Sequence, residues 1–107
     1  MKLILELTEA DFDRNVLQSA VPVLVDFWSP SCVPCRMLVP ILEELANDNI
    51  DEVRITKINV AQFPQIVTKY GIEILPTILI FNKGIVVEQI IGVQSKDKLQ
   101  NILDAIE

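Results

Sequence analysis

An α/β fold, with helices on both faces of a mixed sheet, is predicted by three observations. Strand-like apolar runs alternate with segments of helical period along the chain. One run, V-L-V-D-F-W at residues 23 to 28, is almost continuously hydrophobic, as suits a central strand covered on both faces. Two further runs flank Asn82-Lys83-Gly84, which reads as a hairpin. The chain has 107 residues, half of them hydrophobic. A chain of this length buries roughly 65% of its unfolded surface, so one domain over residues 1–107 is expected.

Each element has its own reason. Lys2 to Leu7 reads as a short strand. Thr8-Glu9-Ala10-Asp11 resembles a capping box, and Phe12, Val16 and Leu17 give the following helix an apolar face. After Pro22 comes the central strand, then the loop Ser29-Pro30-Ser31. A helix is predicted from about Val33 to Asn47 through Leu38, Ile41, Leu42 and Leu45, with Pro40 as a kink. R-I-T-K-I-N-V, from Arg54 to Val60, is a third strand. Pro64 fits the first turn of a helix that stops at Gly71, where a left-handed cap suits glycine. Residues 77 to 81 and 85 to 91 form the hairpin, expected to be the antiparallel part of the sheet. Ser95 caps a last helix with Leu99, Ile102, Leu103 and Ile106 at i, i+3, i+4 and i+7. The order is β-α-β-α-β-α-β-β-α, five strands and four helices.

Composition removes whole classes of function. Nine Lys and Arg against fifteen Asp and Glu give a net charge of −6, which opposes binding to nucleic acid through phosphates. There is no His and there are two Cys. No Cys-His or Ser-His nucleophile pair exists, and one chain cannot complete a tetrahedral Cys/His zinc site. No stretch approaches the roughly 18 apolar residues that span a bilayer. The opening M-K-L-I-L-E-L is broken by Glu6 and is too short for a signal-peptide core. A cytoplasmic location is expected, where two cysteines serve as free, catalytic or metal-binding groups more often than as a staple.

Cys32-Val33-Pro34-Cys35 sits between the buried strand and the start of a helix. Residues three apart on a helix share a face, so the two sulfurs can meet and bond. The helix N-terminus and nearby Arg36 favour a thiolate at Cys32, making it the attacking sulfur. Cys35, one turn deeper, is the resolving thiol. Three plainer readings stand beside this. A zinc half-site lacks further ligands. A structural disulfide closing so short a loop contributes only about 1.9 kcal/mol in the chain-entropy picture. Two inert core thiols would occupy an odd place beside a proline.

The segment F-W-S-P-S-C-V-P-C-R resembles the active-site segment of the thioredoxin family, usually written F-W-A-x-W-C-G-P-C-K. The likeness extends through K-I-N-V, Y-G-I, I-L-P-T-I-L-I-F and I-G-V-Q-S-K-D-K-L, nearly the whole chain. It implies a thioredoxin-like fold and a protein disulfide reductase with no metal and no bound cofactor. Cys32 matches the nucleophile and Cys35 the resolving cysteine. Asp26 matches the buried aspartate that takes the Cys35 proton, Lys57 its neighbouring lysine, and Pro76 the cis proline facing the disulfide. Trp28, Val33, Pro34, Leu75, Pro76, Ile91, Gly92 and Val93 match an apolar substrate-docking surface. The implied partners are a thioredoxin reductase or equivalent electron donor and disulfide-containing proteins, with the chain itself a monomer. An oxidase or isomerase of the same fold and a binding module without turnover are the alternatives.

The residues also have readings of their own. Asp26 in an apolar strand should be desolvated, which raises its pKa toward the range useful for proton transfer; otherwise it is a strand-end carboxylate. Lys57 alone reads as a surface lysine and Trp28 as core. Pro76 is tolerated at a strand start in any case, and Gly92 can simply mark a strand end. Four positions depart from the family pattern. Ser31 replaces a tryptophan, Val33 a glycine, Arg36 a lysine, and Ala61 stands where aspartate is common. These bear on potential and partner preference rather than on dithiol chemistry.

Overall fold

The computed structural model describes residues 3–106. Strand β1 (Leu5–Leu7) is shorter than expected; Lys2, its expected start, lies outside the described residues. Thr8 accepts from the Asp11 amide while the Asp11 carboxylate accepts from the Thr8 amide, closing the capping box of α1 (Glu9–Phe12). Helix α1 continues directly as a π turn over Asp13–Leu17, where the expectation was regular helix. The wider turn keeps Val16 and Leu17, four and five residues on, in the same core as Phe12.

Strand β2 (Val23–Trp28) leads to α2 (Val33–Asp48), with Pro40 inside the helix. Strand β3 (Arg54–Asn59) is followed by α3 (Pro64–Tyr70), which ends at Gly71 with φ 64° as glycine permits. Strands β4 (Thr77–Asn82) and β5 (Ile85–Ile91) are joined by Lys83 and Gly84, both at positive φ as in a type I′ turn. The Ser95 hydroxyl accepts from the Lys98 amide and caps α4 (Lys96–Asp104).

The strand order is β1-β3-β2-β4-β5, a mixed five-stranded sheet in an α/β thioredoxin-like arrangement. Strand β3 runs parallel to β1 and β2, whereas β4 runs antiparallel to both β2 and β5. The antiparallel part is therefore wider than the expected hairpin. Connector length explains it. The sixteen residues of α2 rise about 24 Å and return the chain along a strand of about 20 Å, whereas the seven of α3 rise about 10 Å. The chain re-enters the sheet near the end where β3 left it.

Alternation along β2 splits the core in two. Val25 and Phe27 face α1 and α3, packing with Phe12, Ile58 and Phe81, and Tyr70 stacks edge-on to Phe81 at 5.6 Å. Leu24 faces α2 and α4, among Leu38, Leu42, Leu45 and Leu99. Asn49 and Gln100 exchange two amide hydrogen bonds, of 2.8 and 3.0 Å, between the end of α2 and α4. Pairs of this kind satisfy polar groups that the core would otherwise strand.

Candidate active site

Strand β2 delivers the chain to the site. Beyond Trp28 the Cys32 amide donates to the Ser29 carbonyl (3.2 Å), a tight turn that sets Cys32 at the N-cap of α2 in extended conformation. The Cys35 amide donates to Cys32 Sγ at 3.2 Å. An unpaired amide of the first helical turn thus points at the sulfur, where it favours negative charge. Cys32 and Cys35 are joined in a disulfide with their Cα atoms 5.3 Å apart, within the usual range. Cys32 is half-buried and Cys35 is buried, so a partner reaches the first sulfur before the second. Arg36 donates from Nη2 to the Pro30 carbonyl at 2.9 Å, fastening its charge to the loop ahead of Cys32.

Sheet register gathers the other expected residues. Thr77 pairs with Phe27 on one side and Ile91 on the other, so the start of β4 meets the ends of β2 and β5. Pro76 lies just outside that row, buried, and its bond to Leu75 is cis. The Gly92 amide donates to the Pro76 carbonyl at 2.9 Å, with Gly92 at φ 85°, which favours glycine over any residue with a Cβ. Val33, Ile91 and Val93 are exposed apolar side chains, Val33 to 60%. Pro34 is exposed beside them. The Leu75 side chain packs on the α1 and α3 side of the core, leaving chiefly its backbone to offer.

Asp26 is 1% exposed, on the sheet face covered by α2, and neither carboxylate oxygen has a hydrogen-bond partner. Burial pushes its pKa from the ordinary 3.8 up to about 7; the Lys57 charge opposes this and the Glu6 charge adds to it. Lys57 pairs directly with Asp26 across β2 and β3 and with Glu6 across β3 and β1. It is a half-buried lysine on the sheet face, 3.7 Å from Glu6 and 5.0 Å from the centre of a Trp28 ring.

Three residues that sequence reasoning passed over also belong to this end of the molecule. Ile74 and Met37 are exposed to 54% and 60%, next to Leu75 and one turn after Val33 respectively. The I-L-P run and the i, i+4 spacing from Val33 were signals for both. Glu6 had read only as a break in an apolar run. Among the described residues no cluster of three or more His, Cys, Asp or Glu could hold a metal ion, and no helix is long and apolar enough to cross a membrane.

A cysteine pair at a helix N-terminus, a buried carboxyl of raised pKa on the strand that leads to it and a rim of exposed apolar groups can perform thiol-disulfide exchange. Comparison with known proteins agrees. The thioredoxin family model matches residues 3–105. The chain is 41% identical over 104 residues to thioredoxin 1 of Synechococcus elongatus, covering 97% of each. It is 42% identical over 92 residues to thioredoxin of Rickettsia bellii, 86% of this chain and 88% of the other. To chloroplastic thioredoxin M5 of Oryza sativa it is 43% identical over 96 residues, 90% of this chain and 56% of that one.

Proposed function

The chain belongs to the thioredoxin family and is a thiol-disulfide oxidoreductase, and from that premise we propose how its residues divide the work. The reduced chain offers a Cys32 thiolate, favoured by the Cys35 amide and the start of α2. It attacks one sulfur of a target disulfide; the other sulfur leaves as a thiolate and takes a proton from water. Asp26 accepts the proton of Cys35, whose thiolate then attacks Cys32 Sγ and expels the second target sulfur. Two electrons have passed to the target, and the chain carries the Cys32–Cys35 disulfide. A separate thioredoxin reductase or equivalent donor returns two electrons and two protons. The redox disulfide is part of the protein itself.

Trp28, Val33, Pro34, Ile91, Gly92 and Val93, with the backbone at Leu75 and Pro76, form the docking rim. An extended target segment pairs with the chain at Pro76 in the manner of an added strand. Lys57 acts on Asp26 through its charge. The chain works as a monomer built from one domain over residues 1–107. Its place is a reducing compartment, the cytoplasm first, because a dithiol spent at each turnover needs a reducing supply.

The observation that carries this reading is the disulfide at the N-cap of α2, with Cys32 half-buried and Cys35 buried. Its test is reduction of a disulfide-bonded protein by a small dithiol with the chain in substoichiometric amount. Many turnovers per chain are expected, together with an equilibrium potential more reducing than the glutathione couple. Undiminished turnover by a Cys32→Ser, Cys35→Ser double variant would overturn the reading. A potential well above glutathione would make the chain an oxidant instead.

A further inference from the structure

Glu6, Lys57 and Asp26 form one lateral row, because direct cross-strand partners share a sheet face. The row runs from the solvated edge at β1 to the buried centre at β2. Glu6 uses both carboxylate oxygens: Oε1 meets Lys57 Nζ at 3.7 Å, and Oε2 accepts from Trp28 Nε1 at 3.2 Å. Lys57 in turn lies over the Trp28 ring. The three side chains close a triangle that links β1 to the active-site end of β2. Asp26, by contrast, has no hydrogen bond at all.

We propose that Glu6 is a positioning residue for the exchange reaction, fastening the Trp28 indole and the Lys57 ammonium together and thereby deciding where the Lys57 charge stands relative to the Asp26 carboxyl. The ammonium has two carboxylates to serve. Glu6 is half-exposed, and its contact with Nζ draws the ammonium outward. Without it Lys57 turns toward Asp26, and the negative charge of Glu6 itself is also lost. Both changes favour the ionised form of Asp26, so this base loses its proton at lower pH. The charges that act on Asp26 are those of Lys57 and Glu6. Its direct partner on β4 is the apolar Ile78, and α2 lines the groove beside Lys57 with Glu43.

The same carboxylate sets the indole. A Trp28 held at its nitrogen by Glu6 and on its face by Lys57 keeps one orientation at the end of β2, beside the loop that carries Cys32. Glutamine at position 6 can still accept from the indole but carries no charge; alanine does neither. The pair separates the two parts of the role. Trp28 is the chain's one tryptophan, so its emission reports on the indole alone.

The inference rests on Asp26 as proton acceptor, and the test distinguishes the two. Proton binding by Asp26 is followed by carboxyl NMR titration of the reduced protein. In parallel, the decay of a preformed mixed disulfide at Cys32 is followed across pH. For Glu6→Gln both midpoints should fall by about half a pH unit or more, with Trp28 emission nearly unchanged. Glu6→Asp should restore most of the parent midpoint. Glu6→Ala should show the same fall and, in addition, altered Trp28 emission. In a Lys57→Met background the effect of Glu6→Gln should shrink. Unmoved midpoints in Glu6→Gln, or equal effects with and without Lys57, would overturn the role of Glu6. Decay unaffected by Asp26→Ala at every pH would instead overturn the role of Asp26.

Discussion

Asp26 is the residue whose environment and chemistry conflict most. Its carboxyl is buried without a hydrogen bond, and its pKa is raised from 3.8 to about 7. A carboxyl raised in the folded state binds its proton more tightly there than in the unfolded chain. The stability this gives is fully present below about pH 4 and is lost as pH rises through about 7. Above that range the folded protein holds a buried charge without a hydrogen bond, offset only in part by Lys57. Asp26→Ala should therefore be more stable than the parent at pH 8, by on the order of 4 kcal/mol at most, since each tenfold change in proton affinity is worth about 1.4 kcal/mol. The gain should fade toward pH 4, where the cavity left by the side chain dominates. Urea unfolding at several pH values measures it, and a pH-independent difference would rule out the buried charge as the cause. The sequence made this conflict visible, since one carboxylate interrupts a six-residue apolar strand. Lys57 was not legible in the same way. Its alternation marks the face, but only the pairing of β3 with both β1 and β2 sets it between two carboxylates.

Among the elements, local signals were clearest where the backbone chemistry is strict. The capping box at Thr8, the Ser95 cap, the Gly71 stop and the hairpin at Lys83-Gly84 all stand where the residues placed them. Direction and register were less legible, because they depend on how far a connector carries the chain. Short α3 turned β4 antiparallel to β2, and the π turn after α1 has no single-residue cause in the sequence. The hairpin provides a test with two signs. Gly84 sits at φ 79°, and a Cβ there would lie 3.1 Å from the Leu17 carbonyl oxygen. Gly84→Ala should destabilise by about 1–2 kcal/mol through strain and that contact. Lys83 holds φ 55° with a side chain that disfavours it, so Lys83→Gly should be neutral or stabilise by a few tenths to about 1 kcal/mol. Thermal unfolding of the two variants checks both signs; two losses of equal size would refute the turn assignment.

For the molecule as a whole, the radius of gyration is 12.5 Å against about 13 Å expected for one domain of this length. The sheet brings four chain segments to one end: the close of β2, the start of α2, the cis Leu75–Pro76 bond and the close of β5. The half-buried Cys32 and the buried Cys35 lie among these segments. The division of roles between Cys32 and Cys35 rests on that asymmetry, and trapping puts it to the test. A reduced Cys35→Ser variant is mixed with a disulfide-bonded protein, and the adduct is mapped by mass spectrometry. A stable mixed disulfide at Cys32 is expected, and none for Cys32→Ser under the same conditions. An adduct that forms at Cys35 in Cys32→Ser, as fast as the one at Cys32, would reverse the two roles.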